Sequence, residues 1–362
     1  MKRKANYELL RIVSMMMIVC LHLLDKGGLL TPYGADQSNL SDMTVFEHLR
    51  WLLEALCVMS VNAYILVSGF WGYESRKNTL LKAACLWGRV LFYSVGICLV
   101  ALLAGVCLRS DLTGSDWIAM LFPASADVYW FATCYLVVLL LRPILNAGVA
   151  ALEQKQFRSV LIVFFVALSA VNTFVPYQFP YDHAGHDPLW MIFVYLVGAY
   201  LGKYGFGILD RGWKALAGYV GMALGMWGMQ LALAVVYGQT GKLGAFIHRS
   251  YQDNSVWALG GGIALLALFH RIRIREGLAA GIIRVIAEAT FGIYLIHEHP
   301  LIRYKWQQWL GITEISADGF LLPHIAGCVI TMFVICGAIE LVRIYIMKAV
   351  CRKLPMKKGV RE

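Results

Sequence analysis

The stretch LLRIVSMMMIVCLH, residues 9–22, places an arginine at the head of an apolar run and a histidine at its end. Such a run fits a buried core helix or a membrane span, and the rest of the chain decides between them. Of 362 residues, 59% are hydrophobic and only 15% charged, and the mean hydropathy is +0.64. Soluble domains hold about 45–50% apolar and about 25% charged residues, so the chain reads as a polytopic membrane protein. Lipid cannot satisfy open backbone groups, which leaves helices or a closed barrel. The apolar runs are long and do not alternate, as helical spans of roughly 20 residues require. The expected fold class is therefore an all-α polytopic membrane protein with about ten transmembrane helices and both termini cytoplasmic.

Working outward from the opening stretch, the expected spans are 8–24, 49–70, 80–108, 128–146, 159–175, 188–202, 214–237, 255–270, 284–298 and 321–347. With the N-terminus inside, the segments 1–8, 74–82, 147–158, 203–214, 271–284 and 343–362 hold 22 of the 32 lysines and arginines. That asymmetry follows the positive-inside rule. The net charge of +10 is thus a topology signal, and no nucleic-acid partner is expected. Residues 1–350 form one integral membrane domain, and 351–362 a basic cytoplasmic tail. No small-residue cleavage site follows His22, so the first apolar run is read as a retained helix rather than a signal peptide. Segment 29–48 is a candidate short outer helix.

Nine cysteines sit mostly in apolar runs, among them Cys57, Cys98, Cys134 and Cys336, with no CxxC pair. They read as small buried hydrophobes, not as a disulfide frame or a metal site. In LIHEHP (295–300), His297 and His299 flank Glu298, but a third ligand is missing nearby, so no metal is expected. No repeat relates the two halves.

A helix turns about 100° per residue, so eleven residues complete three turns with about 20° left over. Arg11 and His22 therefore share a face, about 16 Å apart along the axis, with Met15 and Ile18 between them and Asp25 beyond. Taken singly, Arg11 fits a topology anchor and His22 an interfacial residue. As a pair on one face they are a functional candidate, because ionisable groups at membrane depth are expensive.

The stretch NYELLRIVSMMMIVCLH (6–22) resembles the first helix of the acyltransferase-3 family of bacterial membrane proteins, whose hallmark is Arg-x10-His. LVSGFWGY (66–73), YWFATCYLVVLLLRPILN (129–146) and TFGIYLIHEHP (290–300) resemble further family segments in the family's order. The resemblance implies a multi-pass protein of the bacterial inner membrane. It also implies O-acyl transfer, usually acetyl, from cytoplasmic acyl-CoA to a hydroxyl of a surface glycan or its lipid-linked precursor. Acetyl-CoA would then be a substrate, with no bound cofactor. Membrane lipid is a partner, and a separate extracytoplasmic transferase is a further candidate partner.

In that setting His22 is the candidate base or acyl carrier, since its ordinary pKa lets it take and return a proton near neutrality. Arg11 is the catalytic partner that holds a CoA phosphate or the thioester region. Arg76, Lys77, Lys82 and Arg89 are donor-binding candidates, although the family's denser arginine cluster is absent here; anchoring alone also accounts for the first three. His297, Trp130 and Tyr135 are acceptor-side candidates, with interfacial capping or packing as the alternative. Glu54 and Asn62 are candidate partners for Arg11 or Arg89, and the glycines of ALGGGIALL (258–266) are expected to permit close helix packing. A transporter or flippase for a lipid-linked sugar or small solute shares most of these features. The Arg11–His22 pair argues against it, because a flippase has no evident need for a titrating base there.

Overall fold

The computed structural model describes residues 4–30, 43–75, 79–105, 107–124, 126–177, 179–312 and 321–353. Among the described residues, ten long helices follow the ten apolar runs. They are α1 (Ala5–Lys26), α2 (Val45–Gly72), α3 (Thr79–Leu103), α4 (Trp130–Ala151), α5 (Gln154–Phe174), α6 (Pro188–Tyr204), α7 (Gly212–Thr240), α8 (Val256–Arg271), α9 (Leu278–His297) and α10 (Leu321–Lys353). No strand occurs among the described residues. Eight of the ten are long and apolar enough to cross a membrane; α6 and α8, of 17 and 16 residues, are shorter. The third span ends at Leu103 rather than 108. Of segment 29–48, expected as a short outer helix, residues 31–42 lie outside the described residues and Val45 onward already belongs to α2; residues 354–362 of the tail also lie outside.

Helix α2 is the hub. It packs on α1, α6, α7 and α8, and 72% of its most apolar window is buried, against 17% in α7. Its start is fixed by a capping box, in which Thr44 accepts from the Glu47 amide while the Glu47 carboxylate accepts from the Thr44 amide. Where α2 crosses α6, backbone meets backbone. A Cβ on Gly69 would lie 2.0 Å from the Tyr195 carbonyl oxygen, and one on Gly198 would lie 2.4 Å from that of Leu66. In the expected glycine run, a Cβ on Gly261 would meet the Met59 sulfur at 1.9 Å. Small residues at these crossings let the helices approach closely, as membrane packing requires.

Asn62 does not pair with an arginine. Its Nδ2 donates to the Asp253 carbonyl (2.7 Å) and its Oδ1 accepts from Trp190 Nε1 (3.1 Å), tying α2 to α6 and to the loop before α8. Nor does Glu54 join Arg11, which lies 3.7 Å from Glu8, or Arg89, which lies 3.8 Å from Glu340. Sequence spacing puts residues on one face of a helix but does not say which neighbouring helix that face meets.

Gly198→Ala is expected to force α2 and α6 apart, at a cost of about 1–3 kcal/mol or more. The melting temperature in detergent should fall, while Gly221→Ala, whose Cβ has nothing within 4 Å, should leave it near wild type. Equal melting of the two variants would contradict the close crossing.

Candidate active site

At the end of α1, His22 meets the end of α9. His22 Nδ1 lies 2.9 Å from His297 Nε2 and 3.1 Å from a Glu298 carboxylate oxygen. Lys26, one turn on from His22, donates to both oxygens of that carboxylate at 2.5 Å. The proton positions follow from the acceptors. His297 Nδ1 lies 2.7 Å from the Ile293 carbonyl oxygen, which only accepts, so Nδ1 carries the hydrogen. In the neutral ring His297 Nε2 is then an acceptor, and His22 Nδ1 must donate to it. This leaves His22 Nε2 with its lone pair and no partner among the described residues. A buried carbonyl thus selects, through one imidazole, which nitrogen of the next can act as base or nucleophile.

The ligand atoms of His22, His297 and Glu298 lie within 4.8 Å of one another, a spacing that also suits a metal ion. The trio is not the His-x-His pair weighed in the sequence, because His299 faces elsewhere. The Lys26 ammonium already neutralises the carboxylate, and a dication beside it would be repelled. Hydrogen bonding is the arrangement these charges favour.

His299 is fully buried. Its Nε2 donates to the Ser94 carbonyl (3.0 Å) and its Nδ1 accepts from the Leu301 amide (3.2 Å). Both nitrogens are satisfied by backbone, and burial holds its pKa down at about 4. This histidine clamps the end of α9 to α3.

Along α1 from His22, Arg11 lines a cavity of about 520 Å³ with Lys82, Arg89 and Arg142. Arg89 is held by Glu340, a fully buried carboxylate on α10. Glu340 also takes a two-point fork from Arg343 (2.6 Å for each bond) and the Tyr93 hydroxyl proton. Gly292 makes room for it, since a Cβ there would lie 2.4 Å from the Glu340 side chain. Arg142 is 6% exposed, yet its Nε and one Nη have no hydrogen-bond partner, and Arg11 Nε has none either. Buried guanidinium N–H groups facing an open cavity suit an anionic ligand. Pro143 follows, and its missing N–H breaks the helix ladder at the Leu139 carbonyl, beside the same cavity.

A second, much smaller pocket lies at His22, lined also by Met15, Ile18, Val61, Trp130 and Tyr294. The two hollows share three wall residues, Tyr64, Phe131 and Phe291, and the Tyr64 hydroxyl is hydrogen-bonded to Thr290 (2.9 Å). Beside this pocket Trp130 stacks on His186, with centroids 4.1 Å apart and an interplanar angle of 24°. His186 bonds to Asp253 at 3.1 Å. Burial opposes its charge, but the Asp253 carboxylate overrides that, so its pKa lies above the ordinary histidine value.

The structure therefore brings Arg11, Lys82 and Arg89 together in one cavity and His22 and Trp130 around another, with His297 hydrogen-bonded to His22. Tyr135 sits in the basic cavity, donating to Ser68 (3.1 Å), not beside His22. Arg76 and Lys77 lie outside the described residues. Four groups escaped sequence reasoning as site residues: Arg142, Glu340, Lys26 and His186. Arg142 and Glu340 stood out only as ionisable residues within apolar runs, the one available signal.

The bundle and its two hollows, which share the walls Tyr64, Phe131 and Phe291, define a multi-pass membrane protein with a histidine centre next to a cationic cavity. The acyltransferase domain family matches residues 4–342, and the chain belongs to that family, the acyltransferase-3 membrane acyltransferases. No curated protein and no solved structure is significantly similar to the chain.

Because His299 stays neutral when folded but binds a proton at pH about 6.5 when unfolded, its contribution to stability is complete above pH 6.5. It is lost as pH falls from 6.5 toward 4, by about 2 kcal/mol at pH 5. His299→Gln should flatten the fall in melting temperature between pH 7 and 5. An unchanged slope would show that His299 does not titrate in this way.

Proposed function

We propose that this chain is an O-acyltransferase of the bacterial inner membrane. It moves an acyl group, acetyl, from cytoplasmic acyl-CoA to a hydroxyl of an extracytoplasmic glycan or its lipid-linked precursor. The carrying observation is the contact of the arginine-lined cavity with the His22 pocket across Tyr64, Phe131 and Phe291. Both termini are cytoplasmic in this reading, which puts Arg11 toward the donor and His22 toward the acceptor. The excess of basic residues on the N-terminal side supports that orientation.

In this reading the CoA diphosphate lies against Arg11, Arg89, Arg142 and Lys82, and Glu340 holds Arg89 in place. The pantetheine arm spans the rise of about 16 Å from Arg11 to His22 and delivers the thioester past the three rings. His22 Nε2 takes the proton of the acceptor hydroxyl as its oxygen attacks the thioester carbonyl. The C–S bond then breaks, and the imidazolium returns the proton to the leaving thiolate. His297 keeps the reactive nitrogen free, while Trp130, stacked on His186 at the outer rim, offers an aromatic face to a sugar. The chain completes the transfer itself or hands the acyl group to a separate extracytoplasmic transferase.

The proposal is tested by feeding labelled acetate to cells that express wild type or a variant at matched membrane levels. Alkali-labile label in the surface glycan is the readout. His22→Ala should lower it by about 10²–10⁴-fold, the usual worth of a general base. His297→Ala should lower it less, and His297→Gln, which restores an acceptor for His22 Nδ1, should recover part of the loss. Label unaffected by His22→Ala would overturn the assignment.

Arg142→Met should raise the apparent KM for acyl-CoA by about 10–100-fold, the worth of one hydrogen bond to a charged group. Steady-state kinetics on inverted membrane vesicles should show kcat changing far less.

A further inference from the structure

The pocket at His22 is small. Its volume is about 30 Å³, and a water-sized group needs about 10–15 Å³, so it takes two or three such groups. An acetyl group has three heavy atoms. Met15 and Ile18 on α1, Val61 on α2 and Phe291 on α9 are apolar parts of its wall, beside Phe131 on α4. Met15, Ile18 and His22 lie at i, i+3 and i+7 and so share one helix face; the stripe that carries the reactive imidazole also carries the wall facing its substrate. Met15, Ile18 and Val61 are buried in a close-packed core, where space for an added methylene costs displacement of neighbours. Among the described residues no lysine or arginine lines the pocket, so a carboxylate at the end of an acyl chain would be desolvated there without a counter-charge in the wall. Lys26, close by, is already taken by both oxygens of Glu298.

From this geometry we infer that Met15, Ile18, Val61 and Phe291 are the acyl-selecting wall of the active site. They admit an uncharged acyl group of acetyl size and exclude longer acyl chains and those ending in a carboxylate. This inference rests on the acyltransferase reading and adds to it which side chains set the donor. One methylene too many in an apolar pocket is worth about 10–200-fold in discrimination, so the step from acetyl to butyryl should be large.

The test uses the full-length chain in inverted membrane vesicles, which carry the lipid and glycan precursors of the host. Thiol release from acetyl-, butyryl-, octanoyl- and succinyl-CoA is measured, and the His22→Ala background is subtracted. Wild type should use acetyl-CoA at least tenfold faster than butyryl-CoA, and the octanoyl and succinyl donors should not exceed background. Met15→Ala should raise the butyryl-to-acetyl ratio tenfold or more. Val61→Ala, a smaller truncation on another helix, should raise it in the same direction and serves if Met15→Ala does not accumulate. Val61→Phe should depress acetyl transfer by filling the pocket. Equal use of octanoyl- or succinyl-CoA by wild type would overturn the selecting wall while leaving the acyltransferase intact. So would ratios unmoved by both alanine variants. Thiol release from no donor by wild type would overturn the acyl-CoA reading itself, and the selecting wall with it.

Discussion

The hydrogen bond between His22 and His297 is the constraint on which the site depends. It joins α1 to α9, residues 275 positions apart in the chain, and it decides the chemistry of the ring it holds. A histidine alone on a membrane helix has two equivalent tautomers and no preferred reactive nitrogen. Here the Ile293 carbonyl fixes His297, and His297 fixes His22. The carbonyl is itself part of the helix, so the orientation of the His22 ring is anchored in backbone. The same logic orders many imidazole centres, in which a second group sets the tautomer of the first.

That bond needs a scaffold that keeps two helix ends in register. The hub helix α2 supplies it, through crossings at which glycines let backbones touch and a capping box where the chain enters it. His299, two residues beyond His297, pins the end of α9 to the Ser94 carbonyl on α3, while Glu340 ties α10 to α3 through Arg89 and Tyr93. The clamps differ in kind. His299 is neutral and satisfied by backbone, whereas Glu340 is a charge matched by the arginine fork of Arg343. Each secures the helix it joins without occupying the hollows.

Much of this was legible in the sequence. Each of the ten apolar runs became a helix because run length and backbone satisfaction leave lipid-facing segments little choice. Arg11 and His22 share a face because helical geometry alone dictates it. The partners were not legible. Lys26 meets Glu298 across 272 positions and Tyr93 meets Glu340 across 247, and no periodicity within one helix reports on which helix lies beside it. The same blindness paired Glu54 and Asn62 with arginines they do not touch. Tyr135 differs again: it lies on the same helix as Trp130, and five residues along the axis were enough to carry it from one hollow to the other.

The charges around His22 suit a proton that comes and goes. At rest Lys26 and Glu298 cancel, and the neutral imidazoles add nothing. In the proposed transfer, His22 gains a proton as the thioester carbonyl becomes an oxyanion, so one positive and one negative charge arise together in a site that water reaches poorly. A low-dielectric site strengthens the attraction between them. In that transfer the Glu298 oxygen 3.1 Å from His22 Nδ1 lies where it steadies the imidazolium, while Lys26 balances the carboxylate's charge at rest. A neutral residue at 298 would leave Lys26 unpaired beside a ring that must become positive. A neutral residue at 26 would leave a lone carboxylate to trap the proton. The pair works as a unit, poised between these two failures, and this accounts for two opposite charges buried beside a single base.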